Sequence, residues 1–111
     1  MNILCFGDSN TWGYKPDKTG RFDENTRWTA LLQKKLGPAY HIIEEGLCGR
    51  TTVFHDELRE GRRGLDMIGV TVEMHDPLDL VIIMLGTNDC KTRYGASASV
   101  IAKGLDQVIR K

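Results

Sequence analysis

Ser9 in "FGDSNTWG", residues 6–13, follows a short apolar run and stands between an acid, Asp8, and an amide, Asn10. A serine that attacks a carbonyl needs a base to take its proton and donors to hold the oxyanion formed on attack. Candidate donors are present. The backbone N–H of Ser9 is one. The N–H of Gly49 in "GLCGRTT" is a second, because a glycine backbone lets a substrate oxygen come close. The side-chain amide of Asn88 in "GTNDCK" is a third. Each well-placed donor is worth about 2.7–4 kcal/mol to a transition state that develops negative charge. Taken alone, Ser9 fits an ordinary turn or helix cap better, so its chemistry depends on whether these segments meet.

The order of elements says that they do. Three units repeat strand, loop and helical pattern. The strands are "NILCF" (2–6), "YHIIEEG" (40–46) and "DLVIIMLG" (79–86). The last is apolar on both faces, which predicts an interior strand of a parallel sheet covered by helices on each side. A first helix over "TRWTALLQKKLG" (26–37) places Trp28, Leu31, Leu32 and Leu36 at helical spacing, with Lys34 and Lys35 at its end and Gly37-Pro38 as a stop. A second pattern covers residues 58–75, where several glycines predict that part is loop. A third, "SASVIAKGLDQVIRK" (97–111), gathers Val100, Ile101, Leu105, Val108 and Ile109 on one side. Alternating strands and helices predict an α/β fold with right-handed crossovers. In such sheets the loops at the carboxyl ends of the strands collect on one edge, where ligands bind. Those loops are the three that carry Ser9, Gly49 and Asn88.

Composition excludes several other roles. Of 111 residues, 41% are hydrophobic and 27% charged, with 15 basic residues balancing 15 acidic ones. That is the make-up of one globular domain, with no bias toward nucleic acid or an anionic membrane. No apolar run approaches the ~20 residues of a membrane span. The start, "MNILCFGDS", lacks a secretory pattern, so the cytoplasm is the expected compartment. Cys5, Cys48 and Cys90 are far apart, without a CxxC pair or metal-ligand spacing. Free thiols are expected, and neither a metal nor a cofactor.

The blocks "FGDSNTWG", "EEGLCGRTT" and "LVIIMLGTND" resemble the first three signature blocks of the SGNH (GDSL) hydrolase superfamily, in wording similar to its arylesterase and acyltransferase branch. The resemblance runs from about Ile3 to Lys91. It implies a flavodoxin-like three-layer α/β/α fold and esterase or acyl-transfer activity on small ester substrates. It makes Ser9 the nucleophile, with an oxyanion hole of the Ser9 amide, Gly49 and Asn88. Asp8 is not the triad acid in that family. It reads as a carboxylate that orders its loop by accepting backbone hydrogen bonds, with Asn10 beside it, and Asp89 reads the same way. Trp12 and Tyr14 either line an acyl or aryl pocket or simply pack.

The family's final block, Asp-x-x-His, has no counterpart here. The residues three positions before His41, His55 and His75 are Pro38, Thr52 and Val72. His41 begins a strand, at the wrong end for the site, and His75 also belongs to the far edge. His55, after the second block, could approach Ser9, although each of the three histidines reads more readily as an exposed or packed residue than as a base. Residues 1–111 are therefore expected to be the amino-terminal part of a single domain, truncated to about three strands and weak or inactive as it stands. Its strand 79–86 would then be an open apolar edge that invites homo-oligomerisation. Two other readings stay open: a non-catalytic binding or assembly fragment, and a small nucleotide- or flavin-binding module. Against the module, there is no GxxxxGK[ST] and no GxGxxG, and the first loop is expected to enter a long irregular segment instead of a helix. "REGRR" (59–63) reads as a solvated loop or as a contact for an anionic substrate.

Overall fold

The computed structural model describes every residue, Met1–Lys111. Its elements follow the expected order. Strand β1 spans Asn2–Gly7, β2 His41–Gly46 and β3 Leu80–Met84. A four-residue helical turn, α1, covers Ser9–Trp12. The longer helices are α2, Trp28–Leu36, α3, Gly64–Met74, and α4, Ala98–Arg110.

The sheet has three strands in the order β2-β1-β3, all parallel. The interior strand is thus β1, buried from Ile3 to Gly7, whereas β3 lies at an edge with Leu80 and Met84 exposed. The interior position predicted from the apolar run 79–86 thus falls to β1, while β3 is the open edge expected of a sheet of three strands. Alternation along β1 builds two cores. Ile3 and Cys5 join Ile42 on one face, where Trp28, Leu32 and Leu36 of α2 pack. Phe6 on the other face meets Ile68 of α3 and Val108 of α4. Helix, sheet and helix make the three layers of the predicted α/β/α architecture.

Helix α3 begins only at Gly64 because a short bridge holds the chain before it. The Thr51 N–H donates to Arg62 O at 2.8 Å, and the Gly64 N–H donates to Thr51 O at 2.9 Å. Helix α4 starts at its Ser97 cap, whose hydroxyl accepts from the Val100 N–H at 3.2 Å. Its predicted apolar side is only partly covered. Val108 is buried, while Val100 and Ile109 are exposed.

The two sheet edges differ in finish. At β2, the Gln33 amide donates to Tyr40 O at 2.7 Å and accepts from the Ile42 N–H at 2.8 Å, occupying main-chain groups that a neighbouring strand would use. Along β3, an apolar groove of about 380 Å³ lies on one face, lined by Ile68, Val72, Val81, Ile83 and Ile109 among others. Another of about 420 Å³ lies on the opposite face, against Trp28, Leu31, Leu32 and Ile82.

Candidate active site

The sheet register sets the stage. Gly7, the last residue of β1, stands opposite both Gly46 and Met84, so the three carboxyl-end loops leave the sheet at one level. The first loop turns at once into α1. Asp8 caps the turn by accepting from the Asn10 N–H at 3.0 Å, which makes Ser9 its first helical residue. The first loop therefore enters a helical turn directly, contrary to the sequence reading, before the irregular segment begins. Two glycines let this turn lie flat on the sheet rim. A Cβ on Gly7 would fall 2.2 Å from Thr11 Oγ1, and one on Gly46 would fall 2.3 Å from the Trp12 backbone nitrogen. Asp8 is the predicted loop-ordering carboxylate and is buried. That burial pushes its carboxyl above the ordinary value. The Asn10 hydrogen bond pulls it back, the Asp89 charge adds to the rise and Arg50 opposes it.

The second loop presents Gly49 in the left-handed region, at φ +86°, where glycine carries little strain. Gly49 is buried, and its N–H donates to no acceptor in the chain. Orphaned buried N–H groups are rare in folded proteins. From the third loop, Asn88 opens a 3-10 turn, Asn88–Cys90, and is 8% exposed. One N–H of its side chain donates to Arg50 O at 3.0 Å, leaving the second uncommitted. Asp89, fully buried, accepts from the Thr52 N–H at 3.0 Å and from the Thr52 hydroxyl, tying the third loop to the second. Helix α4 presses on this joint. A Cβ at Gly104 would come within 2.5 Å of Thr52 Oγ1.

The remaining candidates lie around this rim. Trp12 is half-buried, 6.4 Å from the Tyr14 ring and under the Arg21 guanidinium at 5.0 Å. The "REGRR" segment braces the second loop. Arg62 Nε donates to Cys48 O at 3.1 Å, and Arg63 Nε donates to Val53 O at 2.6 Å. The Arg59 guanidinium lies against Gly49, where a Cβ would stand 2.0 Å from its Nη2. His55 is exposed and lines a cavity of about 310 Å³ with Glu57, Leu58, Arg93 and Tyr94, a set that does not include Ser9. His41 opens β2 at the far end of the sheet, as expected. His75 caps the end of α3, and its Nε2 lies 2.8 Å from Glu45 Oε1 of β2. The three cysteines are unpaired, and burial pushes the Cys5 thiol up to about 11. No group of three or more His, Cys, Asp or Glu side chains is placed to hold a metal ion.

Residues 5–111 match the family model of the GDSL-like lipase/acylhydrolases. The chain belongs to that family. Several solved structures superpose on almost all of the chain. The aryl esterase of M. smegmatis, in an inhibitor-bound form, is 42% identical with a TM-score of 0.94, and the match covers 98% of this chain and 53% of that one. A carbohydrate acetylesterase from Sinorhizobium meliloti is 41% identical with a TM-score of 0.93, over 98% and 53% of the two chains. An SGNH-hydrolase family esterase is 28% identical with a TM-score of 0.73, over 98% and 51%. No curated protein matches. The GDSL chain thus spans about half the length of the solved relatives. No helix in it is long and apolar enough to cross a membrane.

Proposed function

We propose that residues 1–111 form the amino-terminal part of a single SGNH-hydrolase domain that carries out serine-dependent acyl transfer on small ester substrates. Ser9 is the nucleophile. The Ser9 N–H, the Gly49 N–H and the free N–H of Asn88 hold the oxyanion. Asp8 shapes the turn that presents Ser9, Asp89 holds the third loop to the second, and Asn10 and Trp12 border the serine. The observation that carries this reading is that the N–H of the buried residue Gly49 has no acceptor, in a loop that leaves the sheet level with the one bearing Ser9. A donor aimed at charge that appears only during reaction has no partner in the resting chain. Family membership favours this reading over a nucleotide- or flavin-binding module. The names of the relatives, an aryl esterase and a carbohydrate acetylesterase, support small acyl groups on aryl or sugar alcohols, with water or a second alcohol as acceptor.

The 111 residues contain no Asp-x-x-His, so Ser9 lacks the expected base and turnover is weak. Oxyanion stabilisation alone leaves roughly 10³–10⁴-fold over water. Hydrolysis of p-nitrophenyl acetate and adduct formation with a fluorophosphonate probe, each against Ser9→Ala, test the proposal. Slow, Ser9-dependent labelling is the expected result. Equal labelling in Ser9→Ala, or none in either chain, overturns it. Three unpaired thiols support the cytoplasm as its compartment. The open apolar edge of β3 supports self-association through that strand, and a stable monomer in sedimentation at micromolar concentration would refute it.

A further inference from the structure

Arg50 follows Gly49 directly and is 4% exposed. Arginine is almost never fully buried unless it is paired. None of the chain's ion pairs includes Arg50. Instead, its Nη1 donates to Gly7 O at 3.1 Å and to Glu45 O at 2.8 Å, the carbonyls at the ends of β1 and β2. Its guanidinium lies 3.9 Å above the Phe6 ring, and its Nε is buried without a partner. Burial draws the group down to about 10, although the charges of Glu45 and Asp8 offset part of that fall. A hydrophobic residue of similar volume would fill this space with less desolvation. Packing therefore gives no reason for an arginine here.

Its connections do. The side chain grips the strand that leads to Ser9 and the strand that leads to Gly49. Its main-chain N–H donates to Leu47 O at 3.1 Å, closing the turn in which Gly49 adopts its positive φ. Its carbonyl accepts one N–H of Asn88 and so fixes which way that amide points. One residue touches all three loops. We propose that Arg50 is the positioning residue of the oxyanion hole, holding the Gly49 N–H and the free Asn88 N–H in a common orientation toward the Ser9 loop. This deepens the acyl-transfer reading and rests on it. Arg50 itself touches no reacting atom. It acts through Gly49 and Asn88, by resisting rotation of the amide and drift of the second loop away from the first. Lysine keeps the charge but cannot serve two carbonyls while stacking flat on Phe6.

The test uses the 111-residue chain with Arg50→Lys, Arg50→Met and Arg50→Ala. Two readouts are taken: water exchange of the Asn88 side-chain protons by NMR, and the rate of fluorophosphonate labelling at Ser9. In the unmodified chain one Asn88 proton exchanges more slowly than its partner. Arg50→Met and Arg50→Lys each erase that difference and slow labelling roughly 10- to 100-fold, while the remaining amide spectrum stays folded. If Arg50→Ala loses structure, Arg50→Lys carries the test. If it folds, added methylguanidinium restores part of the labelling rate, which a purely structural defect would not permit. Folded variants that keep the Asn88 asymmetry and label within twofold of the unmodified chain overturn the proposal. The Asn88 readout decides the role of Arg50 whether or not Ser9 reacts. Absence of any Ser9 adduct in the unmodified chain strikes the acyl-transfer reading instead.

Discussion

The outer edges of β2 and β3 belong to the same small sheet and are treated in opposite ways. At β2, polar side chains take up what an edge strand exposes. Gln33 serves Tyr40 and Ile42. Glu44 is held by Arg27 at 3.0 and 3.2 Å and by the Thr29 hydroxyl. At β3, Leu80 is 47% and Met84 45% exposed, and apolar grooves flank the strand on both faces. Edge strands that end a sheet in water are blunted by polar or charged side chains. By that criterion β2 is a border of the fold, and β3 carries the composition of an interior.

Charging the open edge should have the largest effect. Leu80→Lys with Met84→Lys is expected to weaken self-association at least about 100-fold, equivalent to ~2.7 kcal/mol. Folding stability should move by only about 0.5 kcal/mol, as for exposed positions. Sedimentation and urea unfolding separate the two, and an unchanged association constant would mean that β3 is not the contact. Removing the finish from the other edge should cost less. Gln33→Leu strands the Ile42 N–H and Tyr40 O, an expected loss of about 2 kcal/mol in urea unfolding. A loss under about 0.5 kcal/mol would show that the β2 edge does not depend on its amide.

The smallest effect concerns Glu44. Its pair with Arg27 holds this carboxyl below its ordinary value. Its contribution is therefore present above the ordinary glutamate range, near 4.5, and is lost as pH falls through the lower folded value. Glu44→Gln should cost about 1 kcal/mol at neutral pH, since the pair is partly solvated. It should also flatten the loss of stability on acidification. Asp8 works in the opposite sense. Its raised carboxyl is a burden when charged and is relieved on protonation, so it partly masks the acid limb that Glu44 creates. An acid limb unchanged in Glu44→Gln would assign it to other carboxylates.

Much of this was readable from residue order. The apolar runs and their Gly-rich exits placed Ser9, Gly49 and Asn88 on one rim, and Asp8 had the short acceptor side chain that such a turn needs. The helical turn at Ser9–Trp12 left no trace, because four residues are too few for an apolar period. The apolar run of β3 by itself pointed to an interior strand, and only the count of three strands pointed to an open edge, which is where it lies. Gln33, Glu44 and Arg50 were illegible for a common reason. Each is a polar residue recruited by a partner distant in the chain, and single recruitments generate no periodicity. A buried arginine, in particular, looks in sequence like any surface cation.

The contact between Gly46 and the backbone of Trp12 carries one more implication. Because bare hydrogen is all that separates strand from turn there, the hydroxyl of Ser9 inherits its coordinates from the hydrogen-bonded lattice beneath it. Its aim would then vary with the pitch of the strands and very little with thermal wandering of a surface segment.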